Sequence, residues 1–167
     1  MLLDYDTNKS ANIKIIKHDT LKFTLRNRKF LTDAVIFGTF YKQFIRFLHK
    51  EIDLTVVDVI AVESNCRRIF RKQFVPEYFI ACGIILSVLY RCHPHGLYEY
   101  TPEETRKITT GSCRAKKPEV EIGVRARFVD LPQSFDEHQI DALATALCFI
   151  DGEDSKQFIP LTNTKST

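Results

Sequence analysis

From Asp33 to Ile52 the apolar side chains return every three or four positions, with Phe37, Phe40, Phe44 and Phe47 on one stripe. That spacing predicts an amphipathic helix whose rings pack into a core. Ahead of it, Leu2 to Asp6 and Ile13 to Phe23 are rich in β-branched and aromatic residues and flank the polar break Thr7-Asn8-Lys9-Ser10, which predicts a hairpin. Val56 to Val62 is a nearly continuous β-branched run, as in a strand covered on both faces, and Glu63 closes it. Pro76-Glu77 opens a helix reaching about Arg91 that is apolar nearly all round: Phe79, Ile80, Ala81, Ile84, Ile85, Leu86, Val88, Leu89 and Tyr90. Such a helix is buried in its own domain or against a partner. Its apolar stretch, Tyr78 to Tyr90, is too short to span a bilayer.

Leu97 to Tyr100 reads as a short strand. Thr101, Pro102 and Glu104 then form a capping-box start for a helix ending near Gly111. A loop from Ser112 to Lys117 leads to a helix opened by Pro118. The last helix follows a second capping box, Ser134 with Glu137, and ends near Ile150, where Asp151-Gly152 breaks it. The order hairpin, helix, strand, helix, strand, three helices predicts an α/β layered domain with a mixed sheet flanked by helices. Residues 1–150 are expected to form this one domain and 151–167 a polar, fraying tail.

The length of 167 residues suits a single core, and thirteen Phe within 44% hydrophobic content argue against disorder. A net charge of +3 selects no partner by itself, so the placement of the cations carries the argument. Cys66, Cys82, Cys92, Cys113 and Cys148 are dispersed without a C-x-x-C pair, which fits reduced thiols and a cytoplasmic protein. Cys92-His93-Pro94-His95 lacks finger spacing and a second ligand pair, so zinc is disfavoured. No secretory leader is visible.

In the last helix Ile140, Leu143, Ala144 and Leu147 share one face, while His138, Asp141 and Thr145 fall on the opposite side. His138 and Asp141 are thus neighbours one turn apart; alone, they describe a solvated face. Glu63 adds a carboxylate at the carboxyl end of a strand, where α/β folds place ligands, although a strand-end glutamate can be structural. The loop Thr110-Gly-Ser-Cys-Arg-Ala-Lys-Lys-Pro118 supplies Arg114, Lys116 and Lys117 beside a helix start, a reasonable phosphate cradle or a solvated basic loop. Arg106 and Lys107 extend that neighbourhood. Arg67, Arg68, Arg71 and Lys72 follow Glu63 directly and form a second cationic run suited to a DNA backbone. A strand-end glutamate, a helical His/Asp pair and a lysine-rich loop are the parts of a magnesium-dependent nuclease. Magnesium prefers carboxylate oxygens, and an imidazole shifts preference toward manganese.

Ile60-Ala-Val-Glu63, Tyr100-Thr-Pro, Arg106-Lys107, Thr110-Gly111, Ala115-Lys116-Lys117 and His138-x-x-Asp141-Ala-Leu-Ala follow one another in an order and spacing that resemble the RuvC Holliday junction resolvases. The resemblance runs from about Val56 to Ile150. It implies a ribonuclease H-like fold, a homodimer, two divalent ions (magnesium, with manganese able to substitute) and hydrolysis of a phosphodiester in branched DNA. It also implies no small-molecule substrate, no membrane, and a cytoplasmic site of action, the host's cytoplasm for a viral chain. Carried over by position, Glu63 and Asp141 match catalytic carboxylates and metal ligands. His138 stands at a third acidic ligand, Lys117 at the lysine near the scissile phosphate, and Arg106 at a basic residue that contacts DNA. The front of the chain departs from the pattern. Either Asp4 is the first acidic ligand, with Ser10-Ala11 in place of a Thr-Gly pair, or Leu2 to Asp6 is already the second strand and the first lies outside this chain. Two other readings stand beside the resolvase: a branched-DNA-binding module with an incomplete metal site, and a related nuclease acting on forks or flaps.

Overall fold

The computed structural model describes residues 2–5, 13–17, 21, 23, 32–64, 76–93, 96–128 and 131–152. Two strands, β1 (Leu2–Tyr5) and β2 (Ile13–Lys17), form the expected antiparallel hairpin, with Asp4 opposite Lys14. Helix α1 spans Asp33–Glu51. Of its four-phenylalanine stripe, Phe44 is the ring that becomes buried, joined by Leu48, while Phe40 stacks on Phe44 at 6.3 Å and meets Phe23 edge-on at 5.1 Å.

The strand expected over Val56–Val62 is shorter and later: β3 is Ile60–Glu63. Turn chemistry overrides β propensity at its front. Asp53 accepts from the Thr55 N–H (3.0 Å) and hydroxyl (2.6 Å), folding Leu54–Val56 into a 3-10 turn that leaves Val56 72% exposed. Helix α2 (Pro76–Cys92) then crosses over to β4 (Leu97–Tyr100), which lies parallel to β3 in the register Ile60↔Leu97 through Glu63↔Tyr100. A helix between two parallel strands is what a parallel pair requires. Among the described residues the four strands make two separate two-stranded ladders, one antiparallel and one parallel, rather than one mixed sheet.

Helix α3 (Pro102–Thr110) starts at the expected capping box: the Thr101 hydroxyl accepts from the Glu104 N–H, and the Glu104 carboxylate accepts from the Thr101 N–H at 2.8 Å. It stops at Gly111, whose φ of 79° is a left-handed conformation that glycine adopts without strain. Helix α4 (Lys117–Arg127) follows, then α5 (Glu137–Asp151). The cap of α5 is Asp136 with Gln139, not Ser134 with Glu137: the Asp136 carboxylate accepts from the Gln139 N–H at 2.9 Å, and the Gln139 side-chain oxygen accepts from the Asp136 N–H at 2.9 Å. Phe135, just ahead of the cap, is buried in the same cluster as Ile140, a hydrophobic staple that sets the start two residues later.

Apolar packing has two centres. Val120, Val124 and Phe128 of the α4 region pack with Ile140, Leu143, Ala144 and Leu147 of α5, and Leu3 and Ile15 of the hairpin lean on this cluster. Phe44, Leu48, Val88, Leu89 and Leu97 make the second, with Ile60 and Val62 against it. The parallel pair is therefore covered by α1 and α2 on one side and by α5 on the other, where Tyr98 meets Phe149 at 4.8 Å. Helices α3 and α4 cross very closely: a Cβ on Gly123 would run into the Thr109 carbonyl. At the far end of α4, Arg127 clamps Asp151 with two hydrogen bonds of 2.8 Å. Among the described residues no helix is long and apolar enough to cross a membrane. The tail beyond Gly152 lies outside the described residues.

Candidate active site

Glu63 is the last residue of β3, at the carboxyl end of the parallel pair. Helix α5 lies across that pair and brings Asp141 within electrostatic reach of it. Helix α3 adds Thr105 and Arg106, and the first turn of α4 adds Lys117. Four elements thus meet at one strand end. By surface area Glu63 is exposed, yet protein closes around its carboxylate from the α3 and α5 sides. This loss of water first, and the Asp141 charge second, push its pKa above the usual carboxylate value of 4.5. The Thr105 side chain and the charges of Arg106 and Lys117 pull the other way without reversing the shift.

The expected apolar face of α5 is buried as read: Ile140, Leu143, Ala144 and Leu147. The opposite side is not one solvated surface. His138 is exposed and Asp141 half-buried, but Thr145 is buried and returns its hydroxyl to the Asp141 carbonyl at 2.8 Å. Helix α5 is sandwiched between α4 and the α3–β3 side, so only its amino-terminal turn stays in water. Among the described residues no three His, Cys, Asp or Glu side chains gather as a metal-holding group. The structure thus joins Glu63 to Asp141 and leaves His138 one turn out. Asp4 lies on the hairpin ladder, separate from the ladder that ends in Glu63.

Lys117 is held by Glu137, the first residue of α5, in an ion pair between two side chains that both keep more than half their exposure. The loop before it is closed on itself. The Ser112 hydroxyl accepts from the Arg114 N–H, the Glu119 carboxylate accepts from the Lys116 N–H at 2.5 Å, and the Glu119 N–H donates to the Lys116 carbonyl. With those N–H groups occupied, phosphates would meet the exposed side chains of Arg114, Lys116 and Lys117 rather than a backbone cradle. Lys107 is also exposed, and Arg106 half-buried. Arg67, Arg68, Arg71 and Lys72 lie outside the described residues, as does His95. His93 is occupied, its Nε2 being 2.7 Å from the Asp58 carbonyl.

No family model matches the sequence, and no curated protein does. Comparison with solved structures decides the fold. Thermus thermophilus RuvC superposes with a TM-score of 0.62 at 19% identity, over 87% of this chain and 81% of that one. The same protein in complex with a Holliday junction substrate gives 0.62 at 20% identity over the same shares. The chain has the RuvC fold. The likeness extends well beyond the stretch that carries the sequence resemblance, and therefore takes in elements ahead of β3.

Sequence reasoning missed three residues of this neighbourhood. Glu137 was read only as a cap partner, whereas it faces Lys117 across the α4–α5 gap. Thr105 was hidden because a helical threonine carries no chemistry by type; its spacing of four from the cap residue Thr101 was the available signal. Cys148, buried and raised to a pKa of about 11 mainly by that burial, lies one turn beyond Ala144, to whose carbonyl its thiol turns at 3.5 Å.

Proposed function

We propose that this protein is a structure-specific endonuclease that hydrolyses phosphodiesters in branched DNA, in the manner of a junction resolvase, with Glu63 and Asp141 as its metal-holding carboxylates. The observation that carries the reading is their convergence, with Arg106 and Lys117, at the strand end of a RuvC fold. The donor chemistry fits a divalent ion: a carboxylate crowded by a second carboxylate is relieved by a hard cation that prefers oxygen. When bound, magnesium or manganese ions would supply a deprotonated water and stabilise the leaving oxygen. Lys117 then exchanges Glu137 for the phosphate and neutralises its growing charge, while Arg106 fixes the strand beside it. Arg114, Lys116, Lys107 and the run from Arg67 to Lys72 hold the backbone without reading bases.

The deciding experiment is cleavage of synthetic four-way, forked and linear duplexes with and without magnesium. Metal-dependent cutting of the four-way or forked substrates supports the proposal, and metal-dependent cutting of linear duplex alone overturns the branched-DNA preference. Tight binding of branched DNA with no cleavage in magnesium or manganese would favour the second reading, a binding module. Its support is that, among the described residues, His138 does not join Glu63 and Asp141 in a metal-holding group and Asp4 lies on another ladder.

His138, where the resemblance puts a third ligand, is proposed to tune metal choice. His138→Asp is expected to raise the magnesium-to-manganese activity ratio severalfold, because an oxygen replaces a softer nitrogen. A ratio identical to wild type would return His138 to the solvated face.

A homodimer belongs to the same proposal, since two symmetric cuts need two facing sites. The outer side of α2 suits it. Leu89 packs with Phe44 and Leu48 of α1, while Ile80, Gly83, Ile84, Ser87, Val88 and Arg91 line an open, mostly apolar groove of about 370 Å³ shared with Tyr41. Light scattering at micromolar concentration is expected to give about twice the chain mass of 19.4 kDa. Ser87→Arg should lower that value toward the monomer, and a wild-type protein monomeric throughout would remove the dimer.

A further inference from the structure

Helix α4 buries Val120 and Val124 in the core it shares with α5. Residues two places from a buried helical position point the other way, so Pro118, Ile122 and Ala126 form the outer ridge of α4. All three are exposed, Ile122 at 69%. A surface helix normally turns polar residues to that side, and this one turns apolar residues there. A second exposed isoleucine, Ile108, comes from α3. A Cβ on Gly123 would meet the Thr109 carbonyl, so Ile108 and Ile122 each stand one residue before the point where the two helices touch. Single exposed apolar side chains are ordinary, whereas a ridge joined by a neighbouring helix marks a contact surface.

The charge around the ridge selects what covers it. Residues 106–127, which carry both isoleucines, hold seven Lys and Arg against two Glu, whereas the whole chain is nearly balanced at 24 against 21. Both glutamates are engaged locally: Glu121 pairs with Arg125 at 2.8 Å, and Glu119 accepts from the Lys116 N–H. A second copy of the chain would bring the same cations face to face across a twofold axis, which like charges oppose. A polyanion with apolar faces fits instead, and unpaired DNA is one. We propose that the Pro118–Ile122–Ala126 ridge takes the unstacked bases and sugars of a DNA strand at a branch point, with Ile122 as a specificity-determining contact. The inference rests on the reading of this protein as a nuclease of branched DNA. Ile122 lies five residues past Lys117, about 7.5 Å along the helix. That is roughly two nucleotide steps from the phosphate that Lys117 would hold. Intact duplex hides its base faces in the stack. Bases at a branch are partly free of it, so an apolar side chain reaches them at little unstacking cost.

The test is metal-free binding of the full-length protein to a synthetic four-way junction and to a linear duplex of matching sequence. Each carries 2-aminopurine, whose fluorescence rises on unstacking, at the branch point or the equivalent duplex position. Ile122→Ser is expected to bind the junction about 10-fold more weakly and to give a smaller fluorescence rise. Its duplex affinity and its salt slopes should match wild type, because no cation is lost. Ile122→Leu should keep wild-type values throughout, and both variants should melt with wild type, since the residue is exposed. Equal weakening on junction and duplex overturns the branch contact. So does wild-type junction affinity and fluorescence in Ile122→Ser while the wild-type protein prefers the junction and cuts it in magnesium; the nuclease reading then stands without the ridge. A fall toward the monomer mass in Ile122→Ser by light scattering would give the ridge to a second copy and overturn the DNA contact. A wild-type protein that neither prefers the junction nor cuts it overturns the nuclease reading, and this proposal with it.

Discussion

Replacing Glu63 by Gln, or Asp141 by Asn, is expected to slow metal-dependent cleavage by at least about 100-fold, the scale of losing a principal electrostatic contributor. The two substitutions should differ in what they do to the metal-free protein. The pKa of Glu63 is raised in the fold, so the proton it takes up stabilises the native state. That contribution is complete below the unfolded value near 4.5 and is lost as pH rises through the higher folded value. At neutral pH the native protein therefore carries an ionised group it holds poorly, and glutamine removes that cost. Glu63→Gln is expected to melt no lower than wild type without metal, and to lack the rise in Tm that magnesium is expected to give wild type. Full cleavage activity in Glu63→Gln or Asp141→Asn would end the assignment. A marked fall in the metal-free Tm of Glu63→Gln would show that this glutamate is a structural strand end.

The second large effect concerns Gly123. Helices α3 and α4 approach so closely there that an added methyl meets the Thr109 backbone, which cannot yield as a flexible side chain can. Gly123→Ala is expected to cost about 2 kcal/mol, within the usual range for overpacking, despite alanine's better helix propensity. For a domain of this size that is a Tm lower by roughly 4–8 °C. Gly38→Ala in α1, where nothing lies within 4 Å, is the control and should be neutral or stabilising. Because α4 carries Lys117 at its other end, the same change should also reduce cleavage. Equal melting of the two variants would rule out the close crossing.

The fold was legible where information is local. The α1 stripe, the Thr101–Glu104 box and the stop at Gly111 depend on residues within one or two turns of each other, and all three stand. Ser134-x-x-Glu137 and Asp136-x-x-Gln139 overlap in the chain, and choosing between them needs to know that Phe135 is drawn into a core made by distant helices. Val56 to Val59 have strand propensity, but Asp53 and Thr55 spend their hydrogen bonds on a turn first. At the site, type and spacing singled out Glu63 and Asp141. What they could not convey is that α5 is covered on two sides, which buries Thr145 and turns Asp141 toward β3. Nor could they pair Lys117 with Glu137, because the two lie twenty residues apart and meet only when α4 and α5 dock.

For the proposed junction-cleaving activity, that last pair bears on the order of binding events. Exposed ion pairs are weak, so Lys117 can abandon Glu137 for a phosphate at little cost. Doing so uncovers a carboxylate one helical turn before Asp141, and the neighbourhood becomes more negative at the moment the strand is seated. A bound cation would in turn screen Glu137 and loosen its hold on the lysine. On that proposed activity each ligand would prepare the place of the other, and by thermodynamic reciprocity the preference would be mutual: the protein would act as a coincidence detector, grasping metal and branched strand together more readily than either one alone.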